Sequence, residues 1–78
     1  MKTEIIKVWI DDIAVYIKTK KGEIYKELFS DYPLLRHATQ AQRANFEYDN
    51  IGIHWEELDE DLSFRGFLTN NLEFRKKL

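Results

Sequence analysis

Three runs of alternating apolar residues occupy the first third of the chain, separated by short polar turns, and this pattern predicts an antiparallel meander. The first run, Ile5-Ile-Lys-Val-Trp-Ile10, puts Ile6, Val8 and Ile10 on one face and Ile5, Lys7 and Trp9 on the other. Asp11-Asp12 follows as a turn, because Asp side chains accept bonds from nearby backbone N–H groups and tolerate turn geometry. The second run, Ile13-Ala-Val-Tyr-Ile-Lys-Thr19, is rich in β-branched residues and sets Ile13, Val15 and Ile17 against Ala14, Tyr16 and Lys18. Lys20-Lys21-Gly22 closes a hairpin onto Glu23–Phe29, since glycine can take positive φ there. In that third run Tyr25 and Phe29 oppose Ile24 and Leu28, which predicts either cover on both sides of the sheet or a bulge late in the strand.

Beyond the meander the periodicity changes. Ser30-Asp31 ahead of Pro33 is a helix-entry signal, with proline in the first turn where its missing N–H costs nothing. Leu34, Ala38 and Ala41 then form a narrow apolar stripe able to lie on the sheet. Thr39-Gln-Ala-Gln42 fits a capping box, so the segment is either one kinked helix over 33–44 or two short helices broken near Thr39. Phe46–Asp49 and Ile53–Trp55, joined by Asn50-Ile-Gly52, predict a second, tighter hairpin. Asp59, Glu60, Asp61 or Ser63 then caps a helix over about 63–69, with Leu62, Phe64, Phe67 and Leu68 as its buried contacts. The sum is a single α+β domain over 1–69, a small antiparallel sheet of three-stranded meander plus hairpin with two or three short helices, and a C-terminal tail over 70–78 that is helical or frayed.

A chain of 78 residues builds one core and buries only about 60% of the surface its unfolded form exposes. With no cysteine, neither a disulfide nor a thiolate zinc site supplements that core. The first residues lack the apolar segment of a signal peptide, and no stretch reaches membrane-spanning length, so the expectation is a soluble cytoplasmic protein that folds alone or as a small homo-oligomer. The formal net charge of -2 hides a polarity along the chain. Residues 44–64 carry seven acids and no Lys or Arg, whereas residues 1–26 carry six Lys against four acids.

Several chemistries can be weighed on the residues themselves. Asp59-Glu-Asp61-Leu-Ser63 has oxygens at alternate positions, but a calcium loop of the EF-hand type needs Gly and Glu where Phe64 and Asn70 stand. His54 beside Trp55 and the acids suggests a general base, yet no cysteine nucleophile exists and Ser30 and Ser63 are both positioned as helix caps. The three glycines are too dispersed for a phosphate loop. No catalytic residue, metal ligand or cofactor is assigned. Two surfaces remain. Glu56, Glu57, Asp59, Glu60 and Asp61 form a block that is either solvated and helix-capping or faces a basic partner. Lys18, Lys20, Lys21 and Lys26, with Tyr16 and Tyr25 close by, either protect the first hairpin from edge pairing or touch nucleic acid.

Three pieces of the chain carry a family resemblance: Val8-Trp9 with the meander after it, Pro33-Leu-Leu-Arg-His-Ala-Thr-Gln-Ala-Gln-Arg-Ala-Asn-Phe46, and Gly52-Ile-His-Trp-Glu-Glu-Leu-Asp-Glu-Asp-Leu-Ser63. Together, over about residues 5–68, the chain resembles the bacterial "domain of unknown function 2442" family. That family often has Pro directly after this Trp, where Glu56 stands here. The resemblance implies a small α+β fold with no established enzymatic activity. Some relatives look like the antitoxin-like half of two-gene modules whose other product is a small protein. Charge segregation and resemblance together predict a non-enzymatic interaction domain whose acidic C-terminal half binds a basic protein encoded nearby. The alternative is a weak nucleic-acid-binding or operon-repressor component acting through the Lys-bearing hairpin.

Overall fold

The first strand, β1 (Ile5–Ile10), pairs antiparallel with β2 (Ala14–Thr19), which pairs antiparallel with β3 (Ile24–Leu28), in a computed structural model that describes residues 4–70. The chain then passes through a 3-10 turn (Phe29–Asp31), α1 (Pro33–Arg36) and α2 (Gln40–Ala44). A second antiparallel sheet follows, of β4 (Glu47–Tyr48), β5 (Gly52–Trp55) and β6 (Glu60–Ser63), and α3 (Phe64–Asn70) comes last. The fold is α+β, as the sequence predicts. Among the described residues no helix is long and apolar enough to cross a membrane.

The first sheet differs from the alternation expected of it in one place. A bulge between Ile5 and Lys7 adds one residue to β1, so Ile5 pairs with Thr19 while Lys7 pairs with Lys18. Ile6 is therefore pushed out and 52% exposed, and Ile5, Val8 and Ile10 are the residues that pack on the core. The irregularity falls in β1 and not late in β3. Ile13 also lies outside β2 and is exposed, because the Asp11 carboxylate gathers the N–H groups of Ile13 and Ala14 at 2.9 and 2.8 Å and holds this stretch as a turn. At the other hairpin Gly22 sits at φ 93°, a conformation glycine takes at no steric cost.

The helical segment divides into two at Thr39. Thr39 Oγ1 accepts from the Gln42 N–H at 3.0 Å and Gln42 Oε1 accepts from the Thr39 N–H at 2.9 Å, which completes the predicted capping box. Pro33 occupies the first turn of α1, but Tyr32 and not Ser30 or Asp31 is the residue before it, and no side chain caps that end. Because α1 is a single turn, the stripe expected at Leu34, Ala38 and Ala41 does not form. Leu35 is the buried residue, and Leu34 and Ala41 are exposed.

The expected second hairpin is a three-stranded sheet. Glu60–Ser63, read from sequence as a helix approach, is strand β6, with Trp55 opposite Glu60 and Ile53 opposite Leu62. Asp59 makes the reversal at φ 54°, in the left-handed region that Asp enters more readily than bulkier residues. Gly52 closes the expected turn, its carbonyl accepting from the Asp49 N–H at 3.1 Å, and it also serves close packing, since a Cβ there would run into the Leu62 carbonyl oxygen. Of the four candidate caps for the last helix, Ser63 fills the role, its Oγ accepting from the Gly66 N–H at 3.0 Å.

One face of each sheet turns to a common core. Val15, Ile17 and Tyr25 from the first sheet meet Ile53, Trp55 and Leu62 from the second, together with Phe29, Leu35, Phe64 and Phe67. Helix α3 packs against β3, β5 and β6 and so ties the two sheets together. Trp55 is the largest fully buried side chain, and its Nε1–H donates to the Arg43 carbonyl at 2.8 Å, so its one polar atom is satisfied. Residues 71–78 of the expected tail lie outside the described residues.

Candidate functional site

The pleat of the second sheet sorts the acidic block. Side chains alternate along a strand, so with Leu62 turned to the core, Glu60 shares its side while Asp61 points away. Glu56, Glu57 and Asp59 occupy the exposed reversal between β5 and β6. The five acids predicted as one patch are thus distributed, three on the turn, one outward on the strand, and Glu60 half-buried, where its charge reaches the Tyr32 hydroxyl. Three of them have local partners: Glu57 Oε2 accepts from Gln42 Nε2 at 3.1 Å, Glu60 Oε1 accepts from the Asp61 N–H at 2.8 Å, and Asp61 Oδ1 meets the His54 ring. The split also sets the carboxylates of Glu60 and Asp61 on opposite sides of β6.

The outward face holds a group that the acidic run alone did not reveal. His54 lies opposite Glu47 on one side and Asp61 on the other. Its Nδ1 is 2.6 Å from Asp61 Oδ1 and its Nε2 is 3.1 Å from Asp49 Oδ2. A carboxylate can only accept, so both contacts are satisfied together when both ring nitrogens carry hydrogen, which is the imidazolium form. The Asp61 bond first, and the Asp49 bond second, raise the His54 pKa above its usual value. Asp49 is held below the usual carboxylate range, chiefly because it accepts from the Ile51 and Gly52 N–H groups and then because of His54. Both ring nitrogens are thus engaged by carboxylates from the neighbouring strand and turn. The spacing that could have signalled the trio is Asp49-x4-His54-x6-Asp61, legible only once the register of β4, β5 and β6 is known.

The lysines of the first hairpin are also divided. Lys20 Nζ lies 3.7 Å from Glu4 Oε1 in an exposed ion pair, and Lys21 sits in the exposed loop. Lys18 and Lys26 point outward from β2 and β3, on the side opposite the core. Tyr25, expected near them, is buried on the core side instead, with its hydroxyl donating to Glu23 Oε1. Lys7 and Trp9, which the hairpin reading left out, share the outward face, since Lys7 pairs with Lys18 and Trp9 with Tyr16.

A third group lies inside. Glu27 is 7% exposed on the core side of β3, accepting from the Tyr32 hydroxyl and from Asn70 Nδ2, each at 2.9 Å. Burial first, and this bond second, push the Tyr32 hydroxyl far above the usual tyrosine range. The carboxylate thereby links β3 to α3 and to the entrance of α1.

No curated protein and no solved structure matches the chain. The family described as "Protein of unknown function (DUF2442)" matches residues 5–73, which takes in both sheets, α1, α2 and α3, and the groups just described apart from Glu4. The chain belongs to this family.

Proposed function

We propose that the protein is a non-enzymatic interaction domain, the antitoxin-like half of a two-gene module, which holds a basic segment of a small protein encoded nearby. The supporting observation is the convergence of acids on one side of the second sheet. Glu47, Asp49 and Asp61 surround His54 on its outward face, and Glu56, Glu57 and Asp59 crown the adjoining turn. Only His54 offsets this charge within residues 44–64. Such a face steers a cationic partner and sets its register, while contributing little to the stability of the free domain.

The test is a pull-down with tagged protein from the native host, at low and at high salt, with a variant carrying Glu56→Ala, Glu57→Ala and Asp59→Ala. The expected result is one stoichiometric basic partner, retained at low salt, released at high salt and lost in the triple variant. A partner held equally by the variant, or no stoichiometric partner at low salt, overturns the proposal.

A further inference from the structure

The outward face of the first sheet has a composition unlike the rest of the molecule. Alternation and register place Lys7 and Trp9 of β1, Ala14, Tyr16 and Lys18 of β2, and Ile24, Lys26 and Leu28 of β3 on it, with Ala14 covered at the end near the first turn and Lys26 and Ile24 exposed. No strand residue on this face is a carboxylate, although the chain has 14 acids against 12 Lys and Arg. The acidic residue of β3 that could have neutralised it, Glu27, is turned to the core. Adjacent strands lie about 4.8 Å apart and two residues span about 6.6 Å along a strand, so Lys7 and Lys18 are neighbours and Lys26 stands roughly 8 Å from Lys18 and roughly 12 Å from Lys7. Lys7 and Lys18 are directly opposite each other, a like-charge pairing that disfavours the free sheet and is relieved by an anion lying over it.

In the row beside Lys7 and Lys18, and in line with Lys26, the rings of Trp9 and Tyr16 are stacked, with centroids 5.3 Å apart and planes within 8° of parallel. Lys7 Nζ rests 5.1 Å from the centre of the Trp9 ring. The Tyr16 hydroxyl is anchored by donating to the Asp11 carboxylate, which fixes the stack in place. A planar base can continue this stack at the Trp9 end by taking the place of the Lys7 ammonium, which then turns to a phosphate. We infer that the Lys7, Trp9, Tyr16, Lys18 and Lys26 face binds single-stranded nucleic acid, with bases continuing the Trp9–Tyr16 stack and the lysines on the phosphates. A duplex offers no free base faces to these rings, and a second copy of the same face would set three lysines against three. This face is separate from the acidic side of the second sheet, and the two readings stand or fall independently.

Fluorescence anisotropy with labelled oligo(dT) and oligo(U) of about 12 nucleotides, beside a duplex of the same length, tests the inference. Both single strands are expected to bind more tightly than the duplex, with log K falling against log salt at a slope of roughly -1.5 to -2 for two or three phosphates. Lys18→Glu and Lys26→Glu are each expected to weaken binding at least ~5-fold, whereas Lys21→Glu, in the loop, leaves it unchanged. Trp9→Leu is expected to weaken binding with the far-UV circular dichroism intact, and if that variant unfolds the Lys26→Glu variant, at an exposed position, decides the matter. Absence of binding at about 50 mM salt overturns the inference, as does preference for the duplex. Equal loss in all three lysine variants marks non-specific attraction and refutes the site. Displacement by poly-glutamate as effective as by oligo(dT) of equal charge assigns the face to acidic peptides instead and refutes it too.

Discussion

Removing the Glu27 carboxylate is expected to destabilise the fold more than any other single charge change. The side chain sits among apolar residues, with one oxygen on the Tyr32 hydroxyl and the other on the Asn70 amide. Glu27→Ala deletes both acceptors, and a hydrogen bond to a charged group contributes about 1.5–3 kcal/mol net. Asn70 is exposed and recovers its partner from water, so the larger share of the loss falls on the half-buried Tyr32 hydroxyl and on the gap left by the missing methylenes. Together these come to about 2–4 kcal/mol, against a total stability of roughly 4–12 kcal/mol for a chain this short. Glu27→Gln separates the cause. Its amide oxygen still accepts from Tyr32, and Asn70 can present its own carbonyl to the new amide, so a loss of only about 1 kcal/mol is expected.

Urea unfolding followed by Trp fluorescence reads these differences directly. With a slope of about 1 kcal/mol per molar, Glu27→Ala moves the midpoint down by roughly 2–4 M and Glu27→Gln by about 1 M. The Tyr32 hydroxyl supplies a second readout, since in Glu27→Gln its ionisation, followed by ultraviolet absorbance, shifts back towards the ordinary tyrosine range while burial still keeps it high. An alanine variant within about 0.5 kcal/mol of the parent, or a glutamine variant as damaged as the alanine one, defeats the reasoning.

Three further outcomes are expected. Gly52→Ala forces a methyl against the Leu62 carbonyl and the Ser63 Cα, both backbone, so β5 and β6 must part and about 1–3 kcal/mol is lost; an unchanged urea midpoint contradicts this. Thr39→Ala removes the capping box from an exposed position and is expected to cost about 1 kcal/mol, or roughly 4–8 °C in Tm, with retention of the parental Tm as the contrary result. The His54 pKa is raised by Asp61 and Asp49, so its stabilising effect is complete below the unfolded value near 6.5 and is lost as pH rises through the folded value. Asp49, with its pKa lowered, adds an effect complete above 3.8 and lost as pH falls through its folded value, which places the optimum of this trio between these two limits. Comparing unfolding midpoints of the parent and His54→Gln from about pH 6 to 9 should show their difference shrinking, and a constant difference speaks against the trio.

The first sheet is readable in the sequence because β-branched residues recur at every second position through most of β1 and β2 and its turns contain Asp or Gly, so local preference and burial agree at Val8, Ile10, Val15 and Ile17. The capping box at Thr39 is readable for the same reason, being a contact between residues three apart. Strand β6 is not, since Glu-Asp-Leu-Ser has no β-branched residue and becomes a strand only by pairing with Gly52–Trp55. The bulge at Ile6 is equally silent, because one inserted residue leaves the apolar count of the run unchanged while exchanging which isoleucine is buried. At the site, the acidic run was visible as charge, but its division into outward Asp61 and inward Glu60 is a property of the pleat. Glu27 shows the limit most sharply. Nothing near it distinguishes it from a solvated strand glutamate, and its partner Asn70 is 43 residues away.

The charge that runs along the chain as an early excess of lysine and a late excess of acid becomes, once folded, a difference between faces. A strand has only two sides, and a core built from both sheets claims one side of each. Charged residues at inward positions must be bonded internally, as Glu27 is, or lie at the margin, as Glu60 does. The other charged residues of the strands lie on the two outward faces, lysine on the first sheet and carboxylate around His54 on the second. In a 78-residue domain these faces are a large part of the surface, so neither can be altered by more than a residue or two without changing what the protein attracts. Charge reversal at Lys26 on one face and at Glu47 on the other should therefore act on different ligands while leaving the urea midpoint nearly unchanged, because both side chains are exposed and lie outside the core that holds the sheets together.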